Sequence, residues 1–256
     1  MCGYNCNLIF KYSRKNAGLR LFNTICVKMF DISGSKDRIL SNLNYFAEKS
    51  EIDLMHLFSN LTDTSKNWLP HGGILNYFGM VMEPNKSNLY YDRLLHTIEW
   101  KNDEAIIFNK HIITKRKAAW YGDSNYAYTY SNTTKYALPW TRDLLELKTL
   151  AEKLSAKNYN SCLLNLYHSG EEGMAWHSDD EKTLAKDGAI ASLSFGAERK
   201  FSFKHKQTGE TVSLVLENGS LLVMKGATQT NWLHRLPPTK KIHHPRINLT
   251  FRTIIT

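Results

Sequence analysis

Cysteine is scarce in this 256-residue chain, proline scarcer relative to its usual share, and long apolar runs are absent. Each shortage removes a class of protein. The four cysteines are Cys2, Cys6, Cys26 and Cys162, and no pair has zinc-site spacing with a second pair to complete it. Neither a zinc ribbon nor a disulfide-stapled scaffold is therefore encoded. Cys2 and Cys6 could touch, but free thiols in an intracellular protein are the plainer reading. No stretch approaches the ~20 apolar residues of a membrane-spanning helix, so no membrane partner is expected. Internal repeats and low-complexity tracts are missing, which argues against a solenoid. Residues 1–30 contain no Asp or Glu but hold Lys11, Arg14, Lys15, Arg20 and Lys28. Such a composition fits an organellar transit segment or a disordered basic extension. Nucleus, organelle and bacterial cytoplasm all stay open as compartments.

What is present points to a globular, basic protein. Hydrophobics make up 42% and aromatics 12%, with a net charge of +9 and an isoelectric point near 9.2. The charge is uneven: residues 181–256 carry 12 Lys/Arg against 5 Asp/Glu. A phosphate backbone is expected to lie along that half.

Residues 37–61 have helical apolar spacing, and Pro70-His71-Gly72-Gly73 breaks it. This divides the chain into an extension, 1–72, and a main domain, 73–256. Within the domain a strand is predicted from Leu75 to Met82. A helix follows, beginning at Glu83-Pro84-Asn85 and burying Leu89, Leu94, Leu95 and Ile98. A second helix spans Trp140 to about Lys157, with Leu144, Leu145, Leu147, Leu150, Ala151 and Leu154 on its apolar side. Short strands are predicted at 161–168, 189–195, 199–205, 211–216, 220–224 and 246–255, separated by polar turns. The fold expected is mainly β with flanking helices: a double-stranded β-helix, or jelly roll, with the helices buttressing one sheet.

The strand Arg246-Ile247-Asn248-Leu249-Thr250-Phe251-Arg252 alternates polar and apolar residues throughout. Side chains two apart share a face, so Arg246, Asn248, Thr250 and Arg252 point one way. Two arginines on one face repel and are rarely buried without anions. A small dicarboxylate in a cavity would satisfy both. Upstream lie His177 and Asp179, two apart and so on the same side of an extended segment; His234 follows 57 residues later. Two imidazoles and one carboxylate leave open positions on a metal, an arrangement suited to non-haem Fe(II) and O2. Alone, H-x-D plus a later His arises easily by chance among 10 histidines, and a surface His–Asp pair is the default. Joined to Arg246 and Arg252, the set suggests a 2-oxoglutarate oxygenase.

Asn165-Leu166-Tyr167, His177-Ser178-Asp179-Asp180-Glu181, Ile190-Ala191-Ser192-Leu193-Ser194-Phe195-Gly196, His234 and Arg246-x-Asn248-x-Thr250-x-Arg252 together resemble the AlkB family of dioxygenases. The resemblance runs from about residue 74 to the C terminus. It is nearest the mammalian-type members that repair duplex DNA; residues 1–70 take no part in it. It implies that His177, Asp179 and His234 ligate Fe(II) and that 2-oxoglutarate is the cosubstrate. Arg246 would clasp the distal carboxylate bidentately, as a lysine could not. Arg252 would neutralise the metal-bound carboxylate. Asn165 and Tyr167 would hydrogen-bond the cosubstrate, with Asn248 and Thr250 lining its pocket.

Trp120 to Tyr130 holds five aromatics in eleven residues, which ordinarily marks strand core. Tyr126, Tyr128 and Tyr130 share one face, however, and a base-modifying enzyme needs flat side chains around an extruded base. By resemblance Tyr130 and His177 sandwich the base, Tyr128 hydrogen-bonds it, and Asp180 accepts from an exocyclic amine while favouring a cationic ring. Phe108 is the candidate intercalating finger, although Asn109 stands where a glycine is expected and a buried hairpin Phe reads equally well. Lys110, Arg116 and Lys117 supply charge nearby. Arg199, Lys200 and Lys204 on one strand, and Lys240 and Lys241 in a loop, are expected at phosphates, or else form a solvated face.

The implied reaction is oxidative demethylation of 1-methyladenine- or 3-methylcytosine-type bases in DNA, duplex or single-stranded, by a monomer that releases formaldehyde. Methylated RNA is the rival substrate. A catalytically silent nucleic-acid-binding jelly roll is the rival class.

Overall fold

A computed structural model of the chain describes residues 63–107, 110–130 and 133–255, with side chains for all of these except 105–112 and 128–135. All belong to the compact unit Leu54–Thr256. The expected basic segment 1–30, the helices over 37–61 and the Phe108 finger lie outside the described residues. So do the side chains of Lys110, Tyr128 and Tyr130.

Thirteen strands and three helices are described. Strand β1 (Ile74–Met80) leads to helix α1 (Pro84–Thr97), then β2 (Lys101–Ile107), β3 (Lys110–Gly122), β4 (Ala127–Tyr130) and β5 (Thr133–Tyr136). Helix α2 (Arg142–Ser155) precedes β6 (Ser161–Tyr167), β7 (Met174–His177), β8 (Ile190–Gly196), β9 (Arg199–His205), β10 (Thr211–Leu216) and β11 (Ser220–Lys225). The short α3 (Thr228–Asn231), β12 (Trp232–Leu236) and β13 (Arg246–Arg252) complete the set. A seven-stranded sheet in the order β1-β11-β8-β13-β6-β3-β2 faces a four-stranded one, β10-β9-β12-β7, while β4 and β5 form a separate hairpin. Mainly β with flanking helices, the fold is the jelly-roll α+β arrangement the strand pattern predicts.

Strand alternation decides the layers. Ile247, Leu249 and Phe251 are fully buried in a core shared with Leu94 of α1 and Leu144, Leu147 and Ala151 of α2. Both helices therefore cover the outer face of the large sheet, as expected. A second core, built on Leu75, Phe203, Leu222 and Trp232, fills part of the space between the sheets. The remainder of that space receives the polar parity of β13 and becomes a cavity.

Helix α2 starts where its sequence dictates: Thr141 accepts a hydrogen bond from the Leu144 amide, and Asp143 lies in the first turn, favourable to the helix dipole. Two details depart from expectation. Leu89 is 48% exposed and Leu145 is 45% exposed, so neither belongs to its helix's buried face. On α1 that place goes to Ser87, Tyr90 and Leu94. Tyr90 can bury its ring because its hydroxyl reaches Glu146 of α2 at 2.8 Å. Gly196 ends β8 at φ +78°, where a Cβ would fall 2.5 Å from the Pro245 carbonyl oxygen, so this turn requires glycine.

Candidate active site

Three side chains converge at the edge of the small sheet. His234 on β12 pairs in register with His177 on β7, and Asp179 follows two residues beyond. Their donor atoms all lie within 4.8 Å of one another. The His177 and His234 Nε2 atoms stand 3.7 and 3.8 Å from Asp179 Oδ1. His177 Nδ1 lies 2.9 Å from the Ala175 carbonyl, so Nδ1 carries the proton and Nε2 is free to ligate.

The electrostatics suit a cation. Burial drives the His234 pKa down to about 3 despite the opposing pull of Asp179, which keeps the imidazole neutral and ligating. Burial alone would raise Asp179, but Arg252 first, then His234 and His177, hold it below the ordinary carboxylate range. Arg252 Nη2 donates to Asp179 Oδ2 at 2.8 Å, and the Gln229 side chain accepts from the Asp179 amide at 2.9 Å. Ligand type, tautomer and charge all fit ferrous iron.

The adjoining cavity, about 140 Å³, is bounded by both sheets. Its wall on the large sheet is a register of polar residues. Arg246 lies opposite Tyr167 and Asn248 opposite Asn165, with Ser194 and Ser192 across from Asn248 and Thr250 on the other side. Asn248 Nδ2 donates to Ser192 Oγ and to Thr250 Oγ1, both at 3.2 Å. Arg246 is 1% exposed, and its Nη2 donates to Ser194 Oγ at 2.9 Å and to Asn248 Oδ1 at 2.7 Å. Its Nε is buried without a partner, and no carboxylate among the described residues pairs with it. Burial pulls this arginine down to about 10. A buried cation left so incomplete fits a carboxylate ligand, as 2-oxoglutarate would supply.

The structure thus brings together nine of the expected residues' positions: the triad, Asn165, Tyr167, Arg246, Asn248, Thr250 and Arg252 all line one cavity. It does not bring Asp180 there. That side chain is exposed, accepts from Ser178 Oγ at 3.3 Å and borders a separate cavity of about 290 Å³ beside Glu181 and Lys182.

Two expected phosphate contacts need correction. Arg199 is 1% exposed, and its guanidinium donates to the carbonyls of Ser169, Gly170, Glu172 and Pro237 at 2.9–3.2 Å. It ties two loops together and cannot reach a phosphate. Alternation explains the error, because Arg199 points inward while Lys200 and Lys204 share the opposite face. Arg116, 8% exposed, is likewise buried. It pairs closely with Asp103 and lines the cavity beside Tyr167, whose influence together with that of Asp103 outweighs burial and raises its pKa. Lys200, Lys240 and Lys241 are exposed, and Lys117 and Lys204 half-buried. Lys204 Nζ stands 4.9 Å from the centre of the Trp176 ring. Tyr126 packs with Trp120 and Leu163, the ordinary core role for an aromatic strand residue.

Sequence reading missed Asp103, Gln229, Ser192 and Ser194. The serines had a signal, since they alternate on β8 as Asn248 and Thr250 do on β13. Asp103 and Gln229 had none, being placed by tertiary structure alone.

A sequence profile described as the 2OG-Fe(II) oxygenase superfamily matches residues 74–252, and the chain belongs to that superfamily. Within it, similarity is to AlkB proteins. The alpha-ketoglutarate-dependent dioxygenase alkB homolog 3 of Bos taurus is 40% identical over 174 residues, covering 64% of this chain and 60% of that one. The DNA oxidative demethylase ALKBH2 of Bos taurus is 40% identical over 157 residues, 58% of this chain and 56% of its own. ALKBH2 of Arabidopsis thaliana is 32% identical over 215 residues, covering 73% and 68%. These place the chain in the AlkB family, near the mammalian DNA-repair members. The chain spans about three fifths of the length of the first of these relatives. The solved structure of OsALKBH1 superimposes with a TM-score of 0.50 at 14% identity, over 72% of this chain and 99% of that one, a likeness of fold. Among the described residues no helix is long and apolar enough to cross a membrane.

Proposed function

We propose that the protein is an Fe(II)- and 2-oxoglutarate-dependent dioxygenase that oxidatively demethylates N-alkylated bases in DNA. The observation that carries this is the pairing of two unfinished sites in one cavity: a triad of two imidazoles and one carboxylate, and beside it a buried arginine lacking a carboxylate. Relatives named DNA oxidative demethylase supply the substrate class. Fe(II) with 2-oxoglutarate and O2 supplies the oxidising chemistry, in which the cosubstrate leaves as succinate and carbon dioxide and the methyl group as formaldehyde.

The protein's own task is positioning. Arg246, with Asn165 and Tyr167 at hand, grips the distal carboxylate and fixes the orientation of the cosubstrate. Arg252 holds the Asp179 carboxylate ionised, and Gln229 anchors its backbone amide. Phe203 and Phe201, ring centres 6.0 and 5.5 Å from that of His234, keep water away from the ligand. The methylated base enters between Tyr130 and His177, with Tyr128 at its polar edge. Phe108 occupies the gap it leaves in a duplex, offsetting an unstacking cost of a few kcal/mol. Lys110, Lys117, Lys200, Lys204, Lys240 and Lys241 meet phosphates. The catalytic domain is 73–256 and works as a monomer inside the cell, in nucleus or bacterial cytoplasm; residues 1–72 are an extension, of which Leu69 already packs on the domain.

Formaldehyde release from a 1-methyladenine oligonucleotide, single-stranded and duplexed, with Fe(II) and 2-oxoglutarate, tests this against Asp179→Ala. Release lost in the variant is expected, with a duplex preference that falls in Phe108→Ala. Release from methylated RNA alone would move the substrate class. Absence of both succinate and formaldehyde would leave a silent binding module.

A further inference from the structure

We infer that Asp103 is a specificity-determining residue of the base pocket: by neutralising Arg116 inside the cavity, it keeps the pocket open to bases that carry positive charge. This rests on the demethylase reading. Asp103 is 9% exposed and Arg116 8%, and their side chains pair directly. Arg116 Nη1 also reaches Met174 Sδ at 3.5 Å. Since Arg116 stems from β3 in the large sheet and Met174 from β7 in the small one, the guanidinium bridges the sheets three residues before His177. Both members of the pair line the same cavity as His177 and Asp179. Asp103 itself sits where the β2–β3 register shifts, between Asn102 and Glu104. Such a bulge re-aims a side chain, and bulges gather beside active sites.

Charge then gives the pair a purpose beyond bracing, since a buried ion pair contributes little net stability. The cavity wall carries three cations, Arg116, Arg246 and Arg252, and three carboxylates, Asp103, Asp179 and Glu181. A ferrous ion and a 2-oxoglutarate dianion cancel each other, so an arriving base meets a neutral wall. Without the Asp103 charge the wall becomes positive. One unit charge several ångströms away in a partly dry pocket disfavours a cationic base by roughly tenfold or more, and leaves a neutral base unaffected.

The test compares kcat/KM on two oligonucleotides, one with cationic 1-methyladenine and one with neutral 1-methylguanine, beside their affinities by fluorescence anisotropy. Asp103→Asn is expected to lower the cationic-to-neutral ratio about tenfold, and Arg116→Gln to raise it. The double variant, neutral again, is expected to return the ratio to that of the wild type even if both rates are lower. A bracing role predicts equal losses on both oligonucleotides and no recovery in the double variant, which would overturn the inference. If Asp103→Asn does not fold, Arg116→Gln and the double variant still decide it. Wild-type turnover with ratios unmoved by any variant refutes the inference alone; no wild-type turnover of either base refutes the reading beneath it.

Discussion

Arg199 and Arg246 are equally buried, each 1% exposed, yet they belong to different kinds of region. Around Arg199 two loops present four backbone carbonyls, all of them taken. The Nε is buried without a partner in both, but around Arg246 the sheet offers only one hydroxyl and one amide oxygen, both to Nη2. In the first region the backbone meets both Nη groups of the guanidinium. The second is finished only by something that enters. Burial of charge is thus ambiguous by itself, and the completeness of its partners separates a brace from a binding site.

Substitution should expose the contrast. Arg199→Met strips four carbonyls of their donor and is expected to cost about 3–5 kcal/mol of stability in urea unfolding, with kcat per folded molecule preserved. A stability loss under 1 kcal/mol would erase the distinction. Arg246→Met should do the reverse: stability of the ligand-free protein within about 1 kcal/mol of wild type, but 2-oxoglutarate affinity weakened at least about 100-fold by calorimetric titration. Arg246→Lys should recover only part of it, because a point charge cannot form the fork.

A smaller effect follows from His234. Its folded pKa of about 3 lies below the unfolded value near 6.5, so between them the unfolded chain binds the extra proton. Stability of the metal-free protein therefore falls as pH drops from about 6.5, by up to about 1.4 kcal/mol per unit from this group. Asp179, also depressed, adds the same sign lower down. Urea midpoints from pH 7.5 to 5 should show a slope that His234→Asn reduces, and an unchanged slope would contradict the assignment. Smallest of all, Lys240→Ala with Lys241→Ala should weaken DNA binding several-fold and flatten its salt dependence while leaving the 2-oxoglutarate KM alone.

The same contrast explains what could be read from sequence. β13 was legible because one face of it is core and the other cavity, so alternation survives along all seven residues. The six predicted strands after Asn160 all form for similar reasons. β7 and β12, which carry the imidazole ligands, were invisible as strands: Met174–His177 is four residues long, and Trp232–Leu236 has half-buried Leu233 and Arg235 between its buried positions. Motif resemblance found the ligands where periodicity did not. Charge was the weakest guide. Alternation alone puts Arg199 on the face of Phe201 and Phe203, but nothing local shows that the carbonyls of two loops meet it there, or that Arg116 meets Asp103 across a bulge, because both outcomes are set by residues distant in sequence.

The most direct test is the stoichiometry of turnover on a 1-methyladenine oligonucleotide. One cavity holding iron, cosubstrate and base predicts one succinate for each formaldehyde, with both lost in Asp179→Ala. Formaldehyde formed without 2-oxoglutarate, or succinate formed with no demethylation of any methylated nucleic acid, would contradict it.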